Sequence, residues 1–218
     1  MATSPQPRPL LRPPPRPRPG PVPQPRPCPS GRVAVSLLAA GCGLLYALYR
    51  GYYGFGGTVG LIGRMASPAG WRAINLGAAA VLLVLALLPV AGLAAWHRPR
   101  PRTMLLALCW ILASGLVMHG LIMDVQRVLS LAGALPIRYA DPSAWASFNG
   151  HAADVEDLAF NETWFLAEGL LWGALGWIAL GRSRARRWWA GTALAATATL
   201  TLIGLLSALG VMGRFIVA

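Results

Sequence analysis

A chain of 218 residues that is 56% hydrophobic and only 12% charged carries about half the charge density of an ordinary soluble domain. Its net charge of +12 would suggest nucleic acid on a soluble surface, but all 19 basic residues are arginines, most of them beside apolar runs rather than on one helical face. The pattern excludes a nucleic-acid partner and, with a mean hydropathy of +0.53, names the lipid bilayer as the main solvent. The complete absence of lysine, beside abundant alanine, glycine and arginine, reads as the codon usage of a GC-rich, bacterial genome.

Residues 1 to 32 hold thirteen prolines and six arginines. Proline fixes φ and removes the backbone donor, so this segment is expected to be a disordered, polyproline-like, cytoplasmic tail. Five apolar runs follow: 33–49, 73–96, 103–123, 163–180 and 188 to about 212. Each approaches the ~20 helical residues that cross about 30 Å of hydrocarbon. The expected fold class is therefore all-α, a polytopic transmembrane helix bundle of five spans over residues 33–218, with four spans as the alternative. The first run also contains a lipobox-like "VAVSLLAAGC" ending at Cys42, but its apolar character continues to Tyr49, where a mature lipoprotein turns polar.

After the first run comes "RGYYGFGGTVG" (50–60), too rich in glycine for a stable helix by propensity and too aromatic for an ordinary loop. It reads as a turn or re-entrant piece at the membrane interface, with Ser67 and Pro68 opening the second helix. Between the third and fourth runs, the segment 124–161 reads as an acidic external loop. Asp141 and Pro142 signal a short helix that Gly150 ends, and "HAADVEDLAF" signals another.

The arginines set the orientation. Thirteen lie in the tail, in "HRPRPR" (97–102) and in "GRSRARR" (181–187), and only six lie in the segments of opposite sidedness. The excess of arginine on cytoplasmic segments selects a cytoplasmic N-terminus and an external C-terminus in the inner (plasma) membrane. All seven acids fall between Asp124 and Glu168, and six of them then belong to the external side.

"YYGFGGTVGL" after a first span and "ETWFLAEG" at the start of a later one resemble a family of small, mainly actinobacterial, integral membrane proteins known as a domain of unknown function. The likeness covers roughly residues 33–180. It implies a multi-helix membrane protein and carries no activity.

Glu168 is the most informative residue, about 10 Å inward from Asn161 at 1.5 Å per residue. Carboxylates at such depth face a bundle interior and mark either a proton or ligand pathway or a protonated, hydrogen-bonded structural acid. Trp164, Glu168 and Trp172 form one stripe at i, i+4 and i+8, while Gly169 and Gly173 are a small-xxx-small pair suited to close helix packing. His119, expected one turn inside the external end of the third run, is a candidate partner for Glu168. Together with Asp124, Glu162 and Arg50 they make up the candidate ligand or proton site. Cys28, Cys42 and Cys109 lack the spacing of a disulfide framework or a zinc site, and nothing calls for a metal or a cofactor. Phosphate loops, serine elbows and paired redox cysteines are absent from the sequence, which disfavours an enzyme. The reading is a membrane protein that binds a lipid, a small molecule or a partner subunit at its external polar face. Its partners are the bilayer and a second copy or a membrane subunit. The alternatives are a proton- or cation-coupled transporter, or a membrane enzyme using Glu168 and His119.

Overall fold

Helix α1 (Pro29–Gly54) starts a bundle whose computed structural model describes residues 29–95, 99–135 and 145–211. It is followed by β1 (Gly63–Met65), α2 (Pro68–Ala95), α3 (Pro99–Leu131), β2 (Trp145–Phe148), α4 (Gly150–Glu156), a π-helical turn (Asp157–Asn161), α5 (Glu162–Ala179) and α6 (Ser183–Ala208). The protein is an all-α helical bundle. Four of its helices, α1, α2, α3 and α6, are long and apolar enough to cross a membrane. At 18 residues with Glu162 and Glu168 inside it, α5 is shorter and more polar, and it packs between α1 and α3.

Successive long helices alternate in direction. On α1 and α2, Gly54 meets Leu76 and Gly43 meets Ala86, so the two run antiparallel. Helix α6 runs parallel to α3, with Trp110 beside Thr192 and Ser114 beside Ala193. Both run antiparallel to α5. Arg102, near the start of α3, reaches the last carbonyls of α5, so the arginines of α1, α3 and α6 gather at one end of the bundle. Asp154, Glu156, Asp157 and Glu162 gather at the other. The core at mid-bundle is Ala39, Cys109, Ala113, Trp172 and Leu175.

Several sequence expectations need correction. The first helix begins at Pro29, ahead of the expected boundary at 32, while residues 1–28 of the tail lie outside the described residues. "GYYG" (51–54) is helical rather than a turn. The helix survives its glycines because Gly54 lets α2 close in: a Cβ there would meet the Leu76 side chain at 2.8 Å. The chain turns only afterwards, where Gly56 and Gly60 adopt φ of 94° and 84°. The Tyr52 hydroxyl accepts from Val59 N at 3.0 Å and braces this turn. Helix α2 starts at Pro68, and Ser67 Oγ accepts from Gly70 N at 3.3 Å.

Helix α3 continues to Leu131, so Asp124 is helical and the acidic loop opens later than residue 124. The Asp141 and Pro142 cap lies outside the described residues, but the helix expected after it is replaced by β2. That strand pairs antiparallel with β1, placing Gly63 opposite Phe148 and Arg64 opposite Ser147. A Cβ at Gly63 would collide with Ser147 O, so the pairing depends on glycine there. Gly150 opens α4 instead of ending a helix, because Asn149 Oδ1 accepts from Ala152 N at 3.1 Å and caps the new helix.

Candidate functional site

The seam between α1 and α5 carries the stripe Trp164, Glu168 and Trp172. Four-residue spacing puts all three on one face, and all three are buried. Trp164 stacks on Tyr46 with ring centroids 4.1 Å apart and donates its indole N–H to Cys42 O at 3.0 Å. Two turns on, Trp172 is 1% exposed and donates to Glu168 Oε1 at 2.9 Å. Gly43 lies beside that carboxyl, where a Cβ would stand 3.5 Å from Oε1, an ordinary contact, while the closer neighbour is Ala86 on α2 at 3.1 Å. The other oxygen, Oε2, is buried without an N–H or O–H donor, and the Cys42 thiol is the weakly donating group that interacts with the carboxyl.

A second constellation fills the acidic end. The extension of α3 past residue 123 carries Arg127 inward to 7% exposure. Its Nη2 lies 2.7 Å from Asp157 Oδ2 and its Nη1 lies 3.7 Å from Asp154 Oδ1. Ser130 Oγ donates to Asp154 Oδ2 at 2.8 Å. The π-helical turn is one residue wider per turn than an α-helix, and such insertions cluster at functional sites. Here it sets Asn161 Nδ2 to donate to Asp157 Oδ1 at 2.7 Å while Asn161 Oδ1 accepts from the Tyr46 hydroxyl at 3.0 Å. The Tyr49 hydroxyl donates to Glu156 Oε1 at 2.7 Å. One polar chain thus joins α3, α4, the π-helical turn and α1, backed by the stacked rings of Tyr49, Tyr46 and Trp164 with Phe160 edge-on to Tyr49.

The residues singled out from sequence divide between these places. His119 and Glu168 do not meet. His119 Nε2 stands 3.7 Å from Glu162 Oε2, too far for a hydrogen bond, and its ring lies 4.4 Å from that of Phe165. Six residues separate Glu162 from Glu168, a rotation of about 240° on a helix of 3.6 residues per turn, so the two carboxylates leave α5 on different faces. His119 also lies three turns from the end of α3 rather than one, because that helix runs on to Leu131. Asp124 and Arg50 are half-buried and make no ion pair among the described residues. Gly169 and Gly173 face α3: a Cβ at Gly169 would meet Val117 Cγ2 at 2.7 Å, and one at Gly173 would meet Ala113 Cβ at 3.6 Å.

Arg127, Asp154 and Asp157 were not among the residues singled out, although they form the centre of the polar cluster. The available signal was Arg127 itself, the lone arginine between positions 103 and 137 in a chain whose acids all lie nearby. Among the described residues, no three His, Cys, Asp or Glu side chains converge into a metal-ligand set.

The chain matches no family model, no curated protein and no solved structure.

Proposed function

We propose that this multi-pass membrane protein lies in a bacterial plasma membrane, crosses it five times with its N-terminus cytoplasmic and C-terminus external, and acts by binding rather than by chemistry. Three arginine-rich segments on one side, the tail before α1 and the connections 97–102 and 181–187, against the acids on the other, support that orientation. The resemblance of "YYGFGGTVGL" and "ETWFLAEG" to the small actinobacterial membrane family fits the same picture.

The binding surface is the external cap made by β1, β2, α4 and the π-helical turn. One observation carries this reading: four carboxylates, Asp154, Glu156, Asp157 and Glu162, lie at this end, and only Asp154 and Asp157 are paired with the buried guanidinium of Arg127. Such an excess of acid favours a cationic group approaching from outside. The interior of the cluster is filled by its own rings, which favours a basic segment of a membrane partner subunit over a small molecule. Native mass spectrometry of the full chain, extracted from its own membranes in mild detergent, tests this. A stoichiometric partner lost in Glu156→Gln is expected, and an unaccompanied chain in both forms overturns it.

A second reading rests on Glu168. A carboxyl oxygen buried without an N–H or O–H donor, on the helix at the centre of the bundle, suits a proton-carrying site. Proton flux into proteoliposomes that disappears in Glu168→Gln would favour it. An enzyme using Glu168 with His119 lacks support, since general acid and base must lie within hydrogen-bond reach of shared substrate atoms.

A further inference from the structure

The opposite end of the bundle holds a different surface. There, Arg102 Nη2 donates to Ala179 O at 3.1 Å and Arg186 Nε donates to Leu180 O at 2.6 Å. Both thereby satisfy carbonyls that α5 leaves open at its C-terminus, where a cation also complements the helix dipole. Arg184 and Arg187 have no such duty. They make no hydrogen bond or ion pair among the described residues, and both are exposed.

These two guanidinium groups lie on one exposed face of α6 with Trp188, Gly191, Thr192 and Ala195, along an open, shallow groove of about 610 Å³. The Thr192 hydroxyl is engaged, accepting from Trp110 Nε1 at 3.1 Å and donating to Trp189 O at 3.0 Å. The charged groups left uncommitted in the groove are therefore the two arginines. Gly191 keeps its floor open, since a Cβ there would meet nothing within 4 Å. From Arg184 to Ala195 the groove follows α6 for about 16 Å at 1.5 Å per residue. It begins at the level of the arginine-rich connection and ends toward exposed apolar side chains of α6, with Leu194 at 70% and Leu202 at 58% exposure. Trp188, 66% exposed, stands between the two zones, where amphipathic rings are favoured.

We propose that this groove is a binding site for an anionic phospholipid. Arg184 and Arg187 hold the phosphate through the fork-like hydrogen bonds of guanidinium, and Trp188, Gly191 and Ala195 receive the upper part of an acyl chain. The apolar floor running into the lipid-facing surface of α6 selects a lipid over free phosphate. The site is at the far end of the bundle from the acidic cap and stands independently of what that cap binds.

The test is native mass spectrometry of the full chain in mild detergent, titrated with phosphatidylglycerol or phosphatidylcholine. Selective retention of phosphatidylglycerol is expected. Each basic residue near an anionic surface contributes about fivefold, so Arg184→Gln with Arg187→Gln should weaken retention about 25-fold. Arg64→Gln, an exposed arginine at the acidic end, should leave it unchanged. Gly191→Leu fills the groove while keeping both charges, and it too should lower retention, which guards against a double variant that fails to fold. The proposal is overturned if Gly191→Leu retains lipid as the parent does, or if Arg64→Gln loses as much as the double variant. It is equally overturned if excess inorganic phosphate displaces the lipid, which would mark a plain anion site.

Discussion

Arg127 on α3 and Asp157 on the π-helical turn meet at 2.7 Å, with the guanidinium almost wholly buried and the carboxylate only slightly exposed. This contact, with Asp154 on the other guanidinium nitrogen, ties α4 and the π-helical turn to α3. Removing one partner of a buried pair leaves an uncompensated charge, which costs about 3–5 kcal/mol. Arg127→Ala should therefore lower the thermal midpoint in detergent sharply. The combination with Asp157→Ala should cost clearly less than the sum of the two single changes, because they share one interaction. Strict additivity would show that the pair is not coupled.

Close approach of α3 and α5 depends on residues without side chains. A Cβ at Gly169 would stand 2.7 Å from Val117 Cγ2 and 3.0 Å from Val117 N, and backbone cannot step aside as a flexible side chain can. Gly169→Val should cost about 1–3 kcal/mol by overpacking. Gly77→Ala on α2, where a Cβ meets nothing within 4 Å, should be neutral or stabilising by about 0.4–1 kcal/mol. Heat-induced loss of monodisperse protein in gel filtration separates the two.

Glu168 can be divided into its structural and chemical parts. Gln keeps an oxygen to accept the Trp172 indole N–H, whereas Ala removes that acceptor and leaves a cavity beside Gly43. Glu168→Gln should match the parent in thermal stability, and Glu168→Ala should fall by about 2–4 kcal/mol through the combined losses. Equal stability of all three would mean that the carboxyl contributes nothing to the fold.

Tyr46 joins the ring stack to the polar chain through one hydroxyl. Tyr46→Phe keeps the stack on Trp164 and deletes the bond to Asn161, so a loss of about 0.5–1.5 kcal/mol is expected. Tyr46→Ala loses the stack as well and should cost several-fold more. A phenylalanine variant as damaged as the alanine one would place the whole effect in the hydrogen bond.

Orientation has a direct chemical readout. Ser147 on β2 is exposed at the acidic end, and Ser183 is exposed at the arginine end. In intact cells, with Cys28 replaced, Ser147→Cys should react with a membrane-impermeant maleimide and Ser183→Cys should not. The reverse pattern would invert the proposed topology.

Legibility from sequence followed the range of the physics involved. Composition named the solvent, because apolar runs near 20 residues have no other stable use, and segregation of arginine from acid gave the bundle two unlike ends. The Trp164, Glu168 and Trp172 stripe was visible because helical periodicity alone puts the three on one face. Propensity misled at "GYYG", where close packing against Leu76 outweighs glycine's backbone entropy, and at 145–148, where β1 supplies a strand partner that no local signal announces. Only the tertiary structure decided that α5 sits between α1 and α3, that His119 belongs with Glu162, and that Arg127 rather than His119 organises the acidic end. Those outcomes depend on the rotation of each helix about its axis and on the extra width of one π-helical turn. Tyr46 and Asn161, 115 positions apart, share a hydrogen bond only because α1 packs against α5, which Asn161 directly precedes. Periodicity says which residues share a face; packing decides what that face meets.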